Sequence, residues 1–341
     1  MAAVTPGRFI WHELLSTHPD AAIAFYQKVV GWNVMAWDQD PGYRMFTWNG
    51  APMAGIMLLP DEARQAGAPS HWLSYVSVRN VDQTVMQAVR MGAMTYLEPM
   101  DIPTVGRLAV LADPQGATFG VYQPVTSGPA GDGPALGDFS WHELAADDWK
   151  TAWEFYRALF GWEPDHQFEM GPMGTYWMFR RVAGSRALGG MFTRPPEVPH
   201  AHWLPYIHVA SAHRVAELAA KHGGRVVSGP MEVPGGDYTT QALDPQGAIF
   251  AVHAVPAQAE SGPSAARPRA ASRRAAEKQP SVARPAVKRA AAKPEKQVAK
   301  KPVKQVAKKP VKPAARKPVK KAAPARPSKR PVKKSAPRRG R

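Results

Sequence analysis

The chain has no cysteine, which excludes a disulfide scaffold, a thiolate zinc centre and a cysteine nucleophile. It has no run of 18 apolar residues, and its opening, MAAVTPGRFIWHEL, carries neither the basic segment nor the long apolar core of a signal peptide; the expectation is a cytoplasmic protein. A phosphate-binding P-loop, a dinucleotide GxGxxG, HExxH and GxSxG are also missing, so nucleotide hydrolysis and the usual zinc-protease and serine-hydrolase signatures have no support.

One absence is regional. Residues 257–341 contain no Trp, Tyr, Phe or Met and only three acids, Glu260, Glu277 and Glu295, against 28 of the chain's 44 Lys and Arg, a local charge of +25. Scattered valines among Ala, Pro and Lys bury too little to offset an ordering entropy of roughly 1–2 kcal/mol per residue, so residues 255–341 are expected to be a disordered basic tail. Within it KQVAKKPV occurs twice in tandem, Lys296 to Val303 and Lys304 to Val311. Residues 1–256 are left with 16 basic and 24 acidic side chains, an acidic body of charge −8 inside a chain of formal charge +17.

The body repeats itself. WHEL at Trp11–Leu14 returns at Trp141–Leu144, FY at Phe25 and Tyr26 returns at Phe155 and Tyr156, and GW at Gly31 and Trp32 returns at Gly161 and Trp162, all offset by 130. HWL at His71–Leu73 and DPQGA at Asp113–Ala117 return at His202–Leu204 and Asp244–Ala248, offset by 131. Two copies of one domain are implied, residues 8–124 and 138–254, after a short extension at 1–7 and joined by a Gly- and Pro-rich linker at 125–137. In each copy the pattern predicts strand, helix and three strands, performed twice. In the first copy a strand at FIWHELL precedes a helix over 18–30 and strands at 43–48 and 54–58. A strand at HWLSYVSV then precedes a helix over 81–91 and strands at 94–99, 107–112 and 118–122. The fold class is therefore α+β.

These spaced motifs, agreeing twice, resemble the vicinal oxygen chelate superfamily, which includes glyoxalase I, bleomycin-resistance proteins and extradiol dioxygenases. The resemblance implies tandem glyoxalase-like domains, each of two βαβββ modules that form a cup-shaped sheet with the function inside the cup. Metal-dependent members place ligands on the first strand, on the fifth strand and near the end of the last. Those positions fall here on Trp11 and Trp141, Leu73 and Leu204, Gly120 and Ala251, none of which ligates a metal through its side chain, so neither a metal nor any other cofactor is expected. His12 and His142 neighbour the first-strand position, but a one-residue slip turns a side chain to the other sheet face.

Period-two alternation instead places Trp11 with Glu13 and Trp141 with Glu143, and adds Tyr75, Tyr122, Tyr206, His208 and His253 from the fifth and last strands, as candidate ligand-binding residues. Glu143 with His208 or His253 is the candidate proton-transfer set; the blander alternative is that the glutamates tie down strands through Trp or backbone N–H groups. The tail resembles the Lys/Ala/Pro-rich segment of linker histones, which implies salt-dependent binding to DNA or another polyanion. The cationic candidates are Lys296, Lys300, Lys301, Lys304, Lys308, Lys309, Lys312, Arg316, Lys317, Lys320, Lys321, Lys329, Arg330, Lys333 and Lys334. No apolar face accompanies these charges, so stable membrane anchoring is not expected, and in a bacterium the location is the nucleoid.

Three readings remain open. The first is a metal-independent body, binding or enzymatic, that takes an unknown small organic ligand, works as a monomer or weak dimer and is tethered to nucleic acid. The second is a nonenzymatic nucleoid-associated protein, and the third a metal-dependent lyase or dioxygenase.

Overall fold

A computed structural model describes residues 5–126 and 134–255. The tail and its fifteen cationic candidates lie outside the described residues, as does most of the linker. The first copy runs β1 (Phe9–Ser16), α1 (Pro19–Val29), β2 (Asn33–Trp37), β3 (Asp40–Trp48), β4 (Ala51–Leu58), a short α2 (Asp61–Gln65), β5 (His71–Ser77), α3 (Val81–Arg90), β6 (Met94–Ile102), β7 (Gly106–Ala112) and β8 (Thr118–Pro124). The second runs β9 (Phe139–Ala146), α4 (Trp149–Phe160), β10 (Glu163–Glu169), β11 (Thr175–Arg180), β12 (Ala187–Thr193), β13 (His202–His208), α5 (Ala212–Lys221), β14 (Arg225–Glu232), β15 (Tyr238–Leu243) and β16 (Ile249–Ala254). The expected three-strand count after the first helix is met by β2, which had no bounds from sequence because it is largely exposed and lacks the buried alternation that marks a strand; α2 was not expected.

Local chemistry explains the helix limits. Asp148 caps α4 by accepting from the backbone N–H groups of Lys150 and Thr151, and Gly161 ends it in the left-handed conformation, φ +70°. Asn80 and Ser211 cap α3 and α5 in the same way.

Each copy forms one eight-stranded sheet, β2-β3-β4-β1-β5-β8-β7-β6 and β10-β11-β12-β9-β13-β16-β15-β14. A crossover helix makes β1 parallel to β4 and β5 parallel to β8, while the modules join through antiparallel β1 and β5. These are the tandem cup-shaped α+β domains implied by the sequence.

The cores are shared between the copies. One contains Tyr26, Trp32, Phe46 and Trp72 of the first copy with Val215, Phe250 and Val252 of the second. The other contains Val85, Leu111 and Phe119 of the first with Tyr156, Trp162 and Phe179 of the second. The helix-bearing sheet faces therefore pack on one another, and the opposite faces remain as two cups. On the packed faces His12 and His142 meet, Nε2 to Nε2 at 2.8 Å, each ring stacked at 3.7 Å on a phenylalanine: Phe139 for His12 and Phe9 for His142. Neither histidine points into a cup.

Candidate functional site

In the first cup β1 presents Trp11 and Glu13 two residues apart on one face. Glu13 is 9% exposed and accepts from the Tyr43 hydroxyl at 2.7 Å and the Tyr75 hydroxyl at 2.9 Å, one on each carboxylate oxygen. The Trp11 indole N–H donates to the Tyr43 oxygen at 3.0 Å. The second cup repeats this with Trp141, Glu143, Tyr176 and Tyr206: Tyr176 donates to Glu143 at 3.0 Å, Tyr206 donates to it at 2.9 Å, and Trp141 donates to Tyr176 at 2.9 Å.

Close backbone approach makes room for the phenol rings. A Cβ on Gly120 would lie 2.1 Å from the Tyr75 ring, and one on Gly190 the same distance from the Tyr176 ring. Gly55 likewise leaves space for the Tyr43 hydroxyl. Gly120 is the position at which the resemblance places a metal-binding carboxylate; here it is covered by an aromatic ring.

Burial dominates the electrostatics. It pushes the carboxyls of Glu13 and Glu143 up from the ordinary glutamate range, while the tyrosine donors pull them back. The same burial, together with the adjacent carboxylate, raises Tyr43, Tyr75, Tyr176 and Tyr206. Phenols held protonated are poor metal ligands, each cup centre offers one carboxylate, and among the described residues no group of three His, Asp or Glu side chains converges. The donor set does not fit the metal centre of the superfamily's metal-dependent members.

The cups differ at Gln241, whose counterpart in the first copy is Val110. The Gln241 amide donates to the Tyr206 oxygen at 2.7 Å and approaches Glu143 at 3.4 Å. The second cup thus carries an extra polar group, over a floor formed by Leu204, Tyr206 and Ala251 with Trp141 and Ile249 against them.

The structure brings together Trp11, Glu13 and Tyr75, and likewise Trp141, Glu143 and Tyr206. It does not join Tyr122 to Glu13, because the Tyr122 hydroxyl donates to the Val105 carbonyl at 3.0 Å. The expected contact of Glu143 with His208 or His253 is not made either. His208 meets the Pro134 carbonyl at 3.2 Å, and His253 lies between Ser140 and Asp237. Both histidines sit toward the end of their strands, past the level of Glu143, so shared face parity does not put them within reach of it.

Tyr43, Tyr176 and Gln241 were missed from sequence. A signal existed for the tyrosines: Tyr43-x-Met45-Phe46 returns as Tyr176-x-Met178-Phe179, but offset by 133, outside the register of the other repeats.

Residues 13–122 match the glyoxalase-like domain family, and residues 139–252 match the glyoxalase/bleomycin resistance protein/dioxygenase superfamily. Over 267 residues the chain is 30% identical to the anthracycline biosynthesis protein DauV of Streptomyces sp., covering 74% of this chain and 94% of that protein. Over 120 residues it is 42% identical to the putative glyoxylase CFP32 of Mycobacterium tuberculosis, 35% of this chain and 44% of that protein. Among solved structures, a variant of homoprotocatechuate 2,3-dioxygenase from B. fuscum superposes with a TM-score of 0.53 at 16% identity, covering 75% of this chain and 73% of that one. The Mn(II)-bound glyoxalase of Novosphingobium aromaticivorans superposes with a TM-score of 0.51 at 17% identity, covering 74% and 83%. At these identities the two structural likenesses speak for the fold alone.

Proposed function

We propose, for a chain that belongs to the glyoxalase/bleomycin resistance protein/dioxygenase superfamily, that its cups bind a small organic molecule without a metal and that its basic C-terminal segment holds this body near nucleic acid. One observation carries the first half: the centre of each cup is a glutamate that accepts a tyrosine hydroxyl on each carboxylate oxygen, rather than a ring of metal ligands.

Donor bookkeeping defines the ligand. In the second cup every indole and phenol proton is already given to a neighbour, while Tyr176, Tyr206, Glu143 and the Gln241 carbonyl retain free lone pairs. Such a site complements a ligand that donates protons, and the Trp141, Tyr176, Phe168 and Phe192 rings beside it complement a flat apolar body. A planar hydroxylated aromatic satisfies both demands. The name of the Streptomyces relative, an anthracycline biosynthesis protein, supports that class.

The test is titration of nucleic-acid-free protein with an anthracycline, read as quenching of tryptophan emission. Saturable quenching that weakens tenfold or more in Glu143→Gln is expected. Absence of quenching together with tight retention of one transition metal per cup overturns the reading.

For the second half, 28 cationic side chains over 85 residues release condensed counterions from a phosphate backbone. The lack of aromatics favours charge over base stacking as the attachment.

A further inference from the structure

We propose that Ser140, His253 and Asp237 form a nucleophile relay at the mouth of the second cup that accepts an acyl group from an ester. The Ser140 hydroxyl lies 3.1 Å from His253 Nδ1, and His253 Nε2 lies 2.8 Å from Asp237 Oδ2. An ionised carboxylate only accepts hydrogen bonds, so in a neutral ring Nε2 carries the proton and Nδ1 is the bare acceptor. The serine proton then points at a base that a carboxylate orients from the far side, the arrangement by which an otherwise weak hydroxyl is activated. The Tyr206 carbonyl, at 3.3 Å, is a second acceptor for the same serine proton; it is farther away than Nδ1 and, unlike the imidazole, is not a base that can remove it.

Comparison with the first copy argues against a framework role common to this fold. The residues at the positions of Ser140, His253 and Asp237 are Ile10, Tyr122 and Gly106, so nucleophile, base and carboxylate occur together in one copy only. The backbone there is common to both copies: Phe139 and Trp141 pair with Ile207 and Tyr206, leaving Ser140 as the extra residue of a β-bulge, just as Phe9 and Trp11 leave Ile10 in the first copy. Only the side chains therefore distinguish this copy; the Arg186 guanidinium holds the Ser140 carbonyl. A bulge re-aims a side chain, and here it turns the hydroxyl to the histidine. Ser140 is 3% exposed, whereas the side chains of His253 and Asp237 are 18% and 31% exposed, so the relay runs from a wet rim down to the sheet.

The step balances without a redox partner. Ser140 Oγ bonds to the acyl carbon while its proton passes to His253 Nδ1; the ester C–O bond breaks and the departing alkoxide takes that proton, leaving as the alcohol. Water then attacks the acyl-serine, giving a proton to Nδ1 that returns to Oγ as the carboxylic acid departs.

The full chain is treated with a fluorophosphonate and, separately, with p-nitrophenyl acetate, and the adduct is located by peptide mass spectrometry. A covalent adduct on Ser140 is expected, absent in Ser140→Ala and formed at least tenfold more slowly in His253→Gln and Asp237→Asn, with thermal midpoints showing that each variant is folded. No adduct on Ser140 from either probe overturns the proposal, as does labelling that is unchanged in folded His253→Gln. Because Ser140, His253 and Asp237 lie outside the Glu143 network, their failure would leave tryptophan quenching by a cup ligand intact, and the two readings fail separately.

Discussion

The Tyr26 hydroxyl of the first copy donates to the Asp244 carboxylate of the second at 3.3 Å, and the Tyr156 hydroxyl of the second donates to Asp113 of the first at 3.0 Å. Trp72 and Trp203 donate to the same phenol oxygens, each at 2.9 Å. The FY, HWL and DPQG repeats therefore converge on two reciprocal clasps across the domain seam. The GW repeat acts there too, since the Trp32 indole donates to the Gly137 carbonyl and the Trp162 indole to the Gly7 carbonyl. The FY, GW, HWL and DPQG repeats thus hold the two domains together, while the WHEL repeat supplies the tryptophan and glutamate at the centre of each cup.

Tyr26→Phe tests this assignment. It leaves the Trp72 N–H without its acceptor and one Asp244 oxygen without its donor, both buried, at a cost of roughly 1–3 kcal/mol per unsatisfied group. Urea unfolding should show a loss of about 2–4 kcal/mol, with a similar loss in Tyr156→Phe.

The histidine pair makes stability depend on pH. His142 Nδ1–H donates to the Leu188 carbonyl; with both rings neutral, as their burial favours, His142 Nε2 accepts from His12 Nε2–H. Burial lowers both rings, and the neighbouring His142 lowers His12 further; His142 is pushed down to about 3 by burial, against an opposing pull from the Leu188 carbonyl and with a smaller downward push from Arg186. A histidine depressed in the folded state contributes stability that is complete above its unfolded value of 6.5 and is lost as pH falls from there toward the folded value. The slope is about 1.4 kcal/mol per pH unit for each ring. Glu13, Glu143, Asp113 and Asp244, raised by burial, act in the opposite sense. Unfolding free energies of the native chain minus those of the His12→Gln/His142→Gln variant cancel that carboxylate contribution, and the difference should shrink steadily between pH 6.5 and 5. A flat difference would show that the pair does not titrate on unfolding.

Gly190→Ala should disturb the second cup without replacing any of its polar side chains. The added methyl meets the Tyr176 ring, which must leave Glu143 to avoid it. A loss of about 1–3 kcal/mol is expected from the forced repacking, with a shift in tryptophan emission as the Trp141 N–H loses its phenol acceptor.

Binding of the full chain to duplex DNA should be independent of sequence and fall steeply with salt, the slope of log K against log salt reporting about 0.9 per phosphate contacted. Residues 1–255, whose charge is −8, should show no binding under the same conditions. Binding that persists in residues 1–255, or a slope near zero, would place the interaction elsewhere.

The amino-acid order by itself determined the two copies, the strand–helix–strand pattern and the pairing of Trp11 with Glu13 and of Trp141 with Glu143 on one face, because periodicity and turn chemistry act over a few residues. It also placed His12 and His142 opposite their glutamates, since parity along a regular strand holds over that distance. Only the tertiary structure decided which of these groups meet. Tyr26 and Asp244 are separated by 218 positions and His12 and His142 by 130, and no local spacing encodes contacts that exist only once two sheets have packed. Ser140 shows the same limit within a single strand: strict alternation sends it to the back of the sheet with His142, and the bulge returned its hydroxyl to His253.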